Sequence, residues 1–187
     1  MAIRSLKTGS FSRSLLVGNL YSVINAYESI ATVSVGSGGS SSIDFTSIPQ
    51  TFSHLQIRYI TQASNGAYLS VQFNGDTGTT YRWHYVNGDG ATASGGDGGA
   101  DTRIALPRGS ASASIFGAGI IDVIEYSNSN KNKTVRGLGG RDTNGAGQLD
   151  FNSGVWLSTS AITSIKLYHS GVTIPQYSHF ALYGMRN

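Results

Sequence analysis

The sequence predicts an all-β protein, an antiparallel β-sandwich of jelly-roll-like character preceded by an extended N-terminal arm. Three observations carry this. Short stretches with apolar and polar residues alternating at period two recur from Glu28 to the C-terminus. They are separated by clusters of Gly, Ser, Asn and Asp, with 25 glycines against 3 prolines in 187 residues. No amphipathic segment of helical length competes with them.

Taken in order, Ala31, Val33 and Val35 share one face of a first strand, and Gly36-Ser37-Gly38-Gly39-Ser40-Ser41 ends it with residues that tolerate unusual dihedrals. Ile43 and Phe45 make a second strand, closed by Pro49. Leu55, Ile57 and Tyr59 alternate with Gln56 and Arg58, and Asn65-Gly66 predicts a hairpin into Leu69, Val71 and Phe73. The turn Asn74-Gly75-Asp76-Thr77-Gly78, with Asp76 capping its own backbone, leads into Tyr81, Trp83 and Tyr85 on one face and Arg82 and His84 on the other. Asn87 to Gly99 reads as a mobile, glycine-rich surface loop. Ile104 and Leu106 mark a short strand, and the apolar run Ile120-Ile121-Asp122-Val123-Ile124 marks a central one. Segments 133–138, 148–157, 164–169 and 178–185 complete a set of about eight to ten strands, enough for two packed sheets.

The first 27 residues follow a different rule. Leu16, Leu20, Val23, Ile24 and Tyr27 approach helical spacing, but Gly18 and Asn19 interrupt it. The expectation is an arm over residues 1–27, extended apart from one helical turn, and a sandwich over 28–187. Arg4, Lys7 and Arg13 lie in this arm with no acid, so the whole formal charge of +3 sits there, while the remaining ten bases balance ten acids. With Leu15 and Leu16 they form a candidate anchor that docks on an acidic surface of another subunit. Only 12% of residues are charged, a composition suited to a chain largely covered by partners.

Several chemistries find no support in the spacing. Cysteine is absent, which removes disulfides, thiolate metal sites and a Cys nucleophile. No apolar run approaches the roughly 20 residues of a membrane span, and no signal-peptide core is present, so neither membrane insertion nor secretion is expected. Residues 74–79 lack the acidic ligands and closing Glu of a calcium loop. The glycine runs 36–39 and 137–140 lack the Lys-Ser/Thr and helix of a phosphate cradle and read as turns. His54, His84, His169 and His179 are scattered, with no Gly-x-Ser-x-Gly elbow and no His-x-x-x-His pair, and each reads as a half-buried residue hydrogen-bonded locally. Among Asp122, Glu125, Asp142 and Asp150 nothing singles out a glycosidase pair. Catalytic residues, metals and cofactors are therefore not expected. A neutral body also argues against nucleic acid. Tyr81, Trp83 and Tyr85 fit a core or intersubunit face, with glycan stacking as the alternative.

The blocks 27–36, 47–58, Phe73-Asn74-Gly75-Asp76, Asn130-Lys131-Asn132-Lys133-Thr134, Ser153-Gly154-Val155-Trp156, Ala161-Ile162-Thr163-Ser164-Ile165 and Phe180-Ala181-Leu182-Tyr183-Gly184 together resemble virion structural proteins of tailed phages. The likeness spans nearly everything after Tyr27 and is specific as an ordered set. It implies a jelly-roll-like subunit built into the particle, as capsid cement or decoration or as a tail or fibre component, with no catalytic residues. The expectation is a homotrimeric decoration protein, made in the host cytoplasm, that contacts the major capsid protein or other virion proteins. A tail or fibre head binding host glycans is the alternative.

Overall fold

A strand with one apolar face needs a second apolar face to cover it, and in this chain the covering strand is usually distant in sequence. The computed structural model describes residues 26–186. In chain order these form β1 (Tyr27–Ser34), β2 (Ile43–Phe45), β3 (His54–Thr61), β4 (Tyr68–Phe73), β5 (Tyr81–Gly88) and β6 (Ala93–Asp101). There follow β7 (Ile104–Arg108), β8 (Gly117–Ile124), β9 (Lys133–Asp142), β10 (Gly147–Trp156), β11 (Ile165–His169) and β12 (His179–Met185).

Eight strands make one sheet in the order β1-β12-β3-β8-β9-β10-β5-β6, and four make the other in the order β2-β11-β4-β7, all antiparallel. The chain crosses repeatedly between the sheets, as in a jelly roll. The core lies between them: Leu55, Ile57, Ile121, Val123 and Val135 of the large sheet face Ile43, Phe45, Leu69, Val71, Phe73, Ile104, Leu106 and Leu167 of the small one, all buried.

Three expectations need correction. Asn65-Gly66 does form a turn, with Gly66 at φ 65° and the Ala67 N–H donating to Asn65 Oδ1 at 3.0 Å. It does not close a hairpin: β3 pairs with β12 and β8, and β4 pairs with β11 and β7. The apolar faces of β3 and β4 meet across the core rather than lying side by side in one sheet, and alternation is the same in both cases. Asn87 to Gly99 is not a mobile loop, because it contains the end of β5 and most of β6, paired in register from Trp83↔Gly98 to Gly88↔Ala93. The run 137–140 is strand rather than turn. A Cβ at Gly137 would lie 2.8 Å, and one at Gly139 2.6 Å, from ring atoms of Pro107. Glycine there lets β7 settle directly onto β9.

Twelve strands exceed the about eight to ten expected, and β6, in a stretch whose glycines predict a loop, is among the additions. The corner between β4 and β5 is held by polar side chains. Asn74, at φ 52°, accepts from the Thr163 and Ser164 N–H groups and donates to the Ala161 carbonyl. Asp76 does cap its own turn, through Gly78 N–H at 2.8 Å, and also accepts from Thr80 Oγ1 and Trp156 Nε1, each at 2.7 Å. Lys133 is buried and donates its ammonium to the carbonyls of Asn128, Lys131 and Thr159, fastening the β8–β9 loop to the segment after β10.

Candidate interaction surface

The anchor residues Arg4, Lys7, Arg13, Leu15 and Leu16 lie outside the described residues. Tyr27, the last residue assigned to the arm, is the first of β1. Tyr81, Trp83 and Tyr85 share the inner face of β5. Tyr81 is fully buried; its hydroxyl accepts from the Phe73 N–H and donates to the Asp76 carbonyl, and burial pushes its pKa up to about 12. It is a core residue, which removes it from the contact set. Trp83 and Tyr85 are half-buried and stack at 6.1 Å, with Tyr68 beside both. Their far sides are covered by β6, for a Cβ at Gly98 would lie 2.1 Å from the Trp83 indole and one at Gly96 2.9 Å from the Tyr85 ring. The Trp83 N–H is donated to Asp101 Oδ2 at 2.9 Å. The two rings thus pin a glycine strand, and much of their stacking surface is already used.

Two of the histidines and the four acids weighed for chemistry have structural partners. His169 is buried against Thr61 Oγ1 and the Tyr68 carbonyl, and burial lowers its pKa. His54 Nδ1 accepts from the Glu125 N–H, and His169 is buried where half-burial was expected. Asp122 pairs with Arg136 at 2.8 Å, Glu125 pairs with Lys131, and Asp142 Oδ1 accepts from the Asn144 N–H. Asp150 is buried beside Arg141, at 3.6 Å, and accepts from the Arg108 N–H.

That buried aspartate exposes an inversion in β10. Trp156 fixes which residues of the strand face the core, and by alternation Gly154, Asn152 and Asp150 face it too, all buried. Asn152 donates to the Ala105 carbonyl of β7, yet its Oδ1 and the Oδ1 of Asp150 have no partner, a cost in a buried setting. Leu149 and Phe151, the apolar members, are turned outward. Local rules are broken in both directions at one place, with polar residues inside and apolar ones outside.

Register then assembles an outer apolar surface. Ile120 of β8 lies opposite Leu138 of β9, Leu138 opposite Phe151 of β10, and Phe151 opposite Val86 of β5. The row runs straight across four strands on the outer face, with exposures of 39, 55, 43 and 51% respectively. Leu149, 67% exposed, adds a second apolar row by lying over Gly140, where a Cβ would be 2.8 Å from its Cδ2. Val86, Leu138, Leu149 and Phe151 line a depression of about 380 Å³. It is open to solvent, which suits a protruding side chain of a protein partner better than an enclosed small molecule.

A polar rim borders the row. Arg136 and Gln56 donate to the two oxygens of Asp122, Arg58 donates to Gln56 Oε1, and Arg58 lies over the rings of Tyr27 and Tyr183. An apolar centre with a hydrogen-bonded rim is the anatomy of a protein interface. Sequence reading missed these residues because each sits in a different strand and only long-range pairing makes them neighbours. The one local signal was the parity set by Trp156. Comparison of the chain with protein-family models, with curated proteins and with solved structures finds no match.

Proposed function

We propose that this chain is a structural subunit of a tailed-phage particle, a capsid decoration or cement protein. It docks the outer face of its eight-stranded sheet on the capsid, while the basic arm reaches neighbouring subunits, and the expected assembly is a homotrimer. The observation that carries this reading is the row Ile120, Leu138, Phe151 and Val86, exposed on a sheet face with a satisfied polar rim. Each 100 Å² of that face removed from water is worth about 2.5 kcal/mol before the costs of association, so the apolar row supplies the affinity. The low charge of the chain and the ordered resemblance to virion proteins support the particle setting.

The test is reconstitution on particles stripped of the protein. Leu138→Lys combined with Phe151→Asp leaves the fold intact, since both side chains point outward, and abolishes occupancy; retained occupancy overturns the reading. Deleting residues 1–13 leaves a folded domain with reduced occupancy. The alternative, a tail or fibre head that stacks glycans on Trp83 and Tyr85, draws less support, because both rings pack on β6. Under it Trp83→Ala abolishes host adsorption while the domain stays folded; under the decoration reading the same change acts through stability.

A further inference from the structure

The two sheets have four edges, and three are poor templates for another strand. Strand β2 is only three residues long, β7 carries Pro107, and the pairing of β1 is broken by a bulge between Ser29 and Ala31. Strand β6 differs. It spans nine residues, is exposed along nearly all its length, contains no Pro or Lys, and pairs in unbroken register over residues 93–98, its one register shift falling after Gly98 and before Asp101. Trp83 and Tyr85 hold its glycines in extended form from one face, so the edge is ordered although it has few side chains. Its outer row of N–H and C=O groups faces no strand of the described residues.

Within the edge segment itself the charge has one sign, although Arg82 and His84 lie on the adjacent strand and Arg103 follows the segment. From Asp89 to Asp101 the chain carries Asp89, Asp97 and Asp101 and no base. The complementary segment is in the same sequence: residues 1–13 hold Arg4, Lys7 and Arg13 and no acid. Thirteen residues, and so fourteen steps along the chain, separate Arg13 from Tyr27, a reach of about 46 Å when extended, and the β1 and β6 edges stand about 33 Å apart at the usual strand spacing. Length therefore permits the segment to reach β6. Reaching its own would take it across all eight strands of the large sheet, since β1 and β6 are its opposite edges.

We propose that the free edge of β6 accepts the basic segment 1–13 of a neighbouring copy as an added antiparallel or parallel strand, held by main-chain hydrogen bonds and by Arg and Lys against Asp97 and Asp101. Such a contact joins different patches on the two copies, and repeated by rotation it closes a ring, the geometry a cyclic homotrimer requires. The inference rests on the protein being an assembling subunit but not on what the outer face docks against.

The chain has no cysteine, so engineered pairs are unambiguous. Gly99→Cys places its side chain in open space. Chains bearing it are mixed with mass-tagged full-length chains bearing Ser5→Cys, Thr8→Cys or Ser10→Cys and oxidised mildly. The expected product is a mixed disulfide between tagged and untagged chains for at least one leader position, lost when Arg4, Lys7 and Arg13 are all changed to Ser. No mixed disulfide above that of an exposed Ser160→Cys control overturns the proposal. So does a disulfide formed only within a single doubly substituted chain, which would place the segment on its own β6. Amide exchange gives a second reading: residues 93–99 exchange about tenfold or more slowly in the full chain than after deletion of residues 1–13. Equal rates also overturn it. Particle occupancy of the Leu138/Phe151 variant reads the outer face separately, so either idea can fail without the other.

Discussion

Replacing Asp76 by Ala tests whether the corner between the sheets is held by one carboxylate. Asp76 Oδ2 accepts from Trp156 Nε1 and Thr80 Oγ1, and Oδ1 accepts from the Gly78 N–H. Trp156 is 3% exposed, so losing its acceptor strands a buried indole N–H, which costs about 1–3 kcal/mol. The Thr80 and Gly78 donors can turn to water, and together they add about 1 kcal/mol. The sum, about 2–4 kcal/mol, lowers Tm by roughly 5–15 °C for a chain of this size. Thermal unfolding followed by circular dichroism measures it, and a double-mutant cycle with Trp156→Phe isolates the shared bond, with an expected coupling of about 1–2 kcal/mol.

The same site makes a claim about acid. Hydrogen bonds from Trp156, Thr80 and Gly78 hold the Asp76 pKa below the ordinary carboxylate value. The folded state therefore prefers the ionised form, and the stabilisation is complete above the unfolded-state pKa and is lost as pH falls through the depressed folded one. The Tm gap between the native protein and Asp76→Asn is thus constant near neutrality and closes in acid. Additive effects of Asp76→Ala and Trp156→Phe, or a gap independent of pH, would refute the reasoning.

Other consequences are equally direct. Gly98→Ala drives a methyl into the Trp83 indole and costs about 1–3 kcal/mol with a red shift in tryptophan emission, whereas Gly99→Ala, whose methyl meets open space, stays within about 0.5 kcal/mol of the native protein by chemical denaturation. Lys133→Met removes the donor shared by three carbonyls and costs about 2–3 kcal/mol, with faster amide exchange in residues 125–132. Burial lowers the His169 pKa, so the folded state resists its protonation and stability declines as pH falls below the ordinary histidine value. His169→Gln flattens that part of the stability profile; an unchanged slope would assign it to other groups.

The strands themselves were legible because alternation is a local property: Leu55/Ile57/Tyr59, Leu69/Val71/Phe73 and Ile43/Phe45 each declare a buried face over a few residues. Partners were not legible, because a core-facing strand has the same pattern whether its neighbour lies beside it or across the core. That is why Asn65-Gly66 reads as a hairpin and folds as an arch between sheets. Glycine misled twice for one reason. At Gly96, Gly98, Gly137 and Gly139 it signals freedom in isolation, but here Tyr85, Trp83 and Pro107 occupy the space a side chain would take.

The sequence by itself determined the all-β class, the capping of its own turn by Asp76, and the concentration of net charge in residues 1–27, since each depends only on neighbours along the chain. Tertiary structure alone decided that Leu149 and Phe151 face outward while Asp150 and Asn152 face the core, and that Ile120, Leu138, Phe151 and Val86 form one row. Those facts are set by the register of strands up to dozens of residues apart, and shifting a strand by one residue would turn each of its side chains to the opposite face.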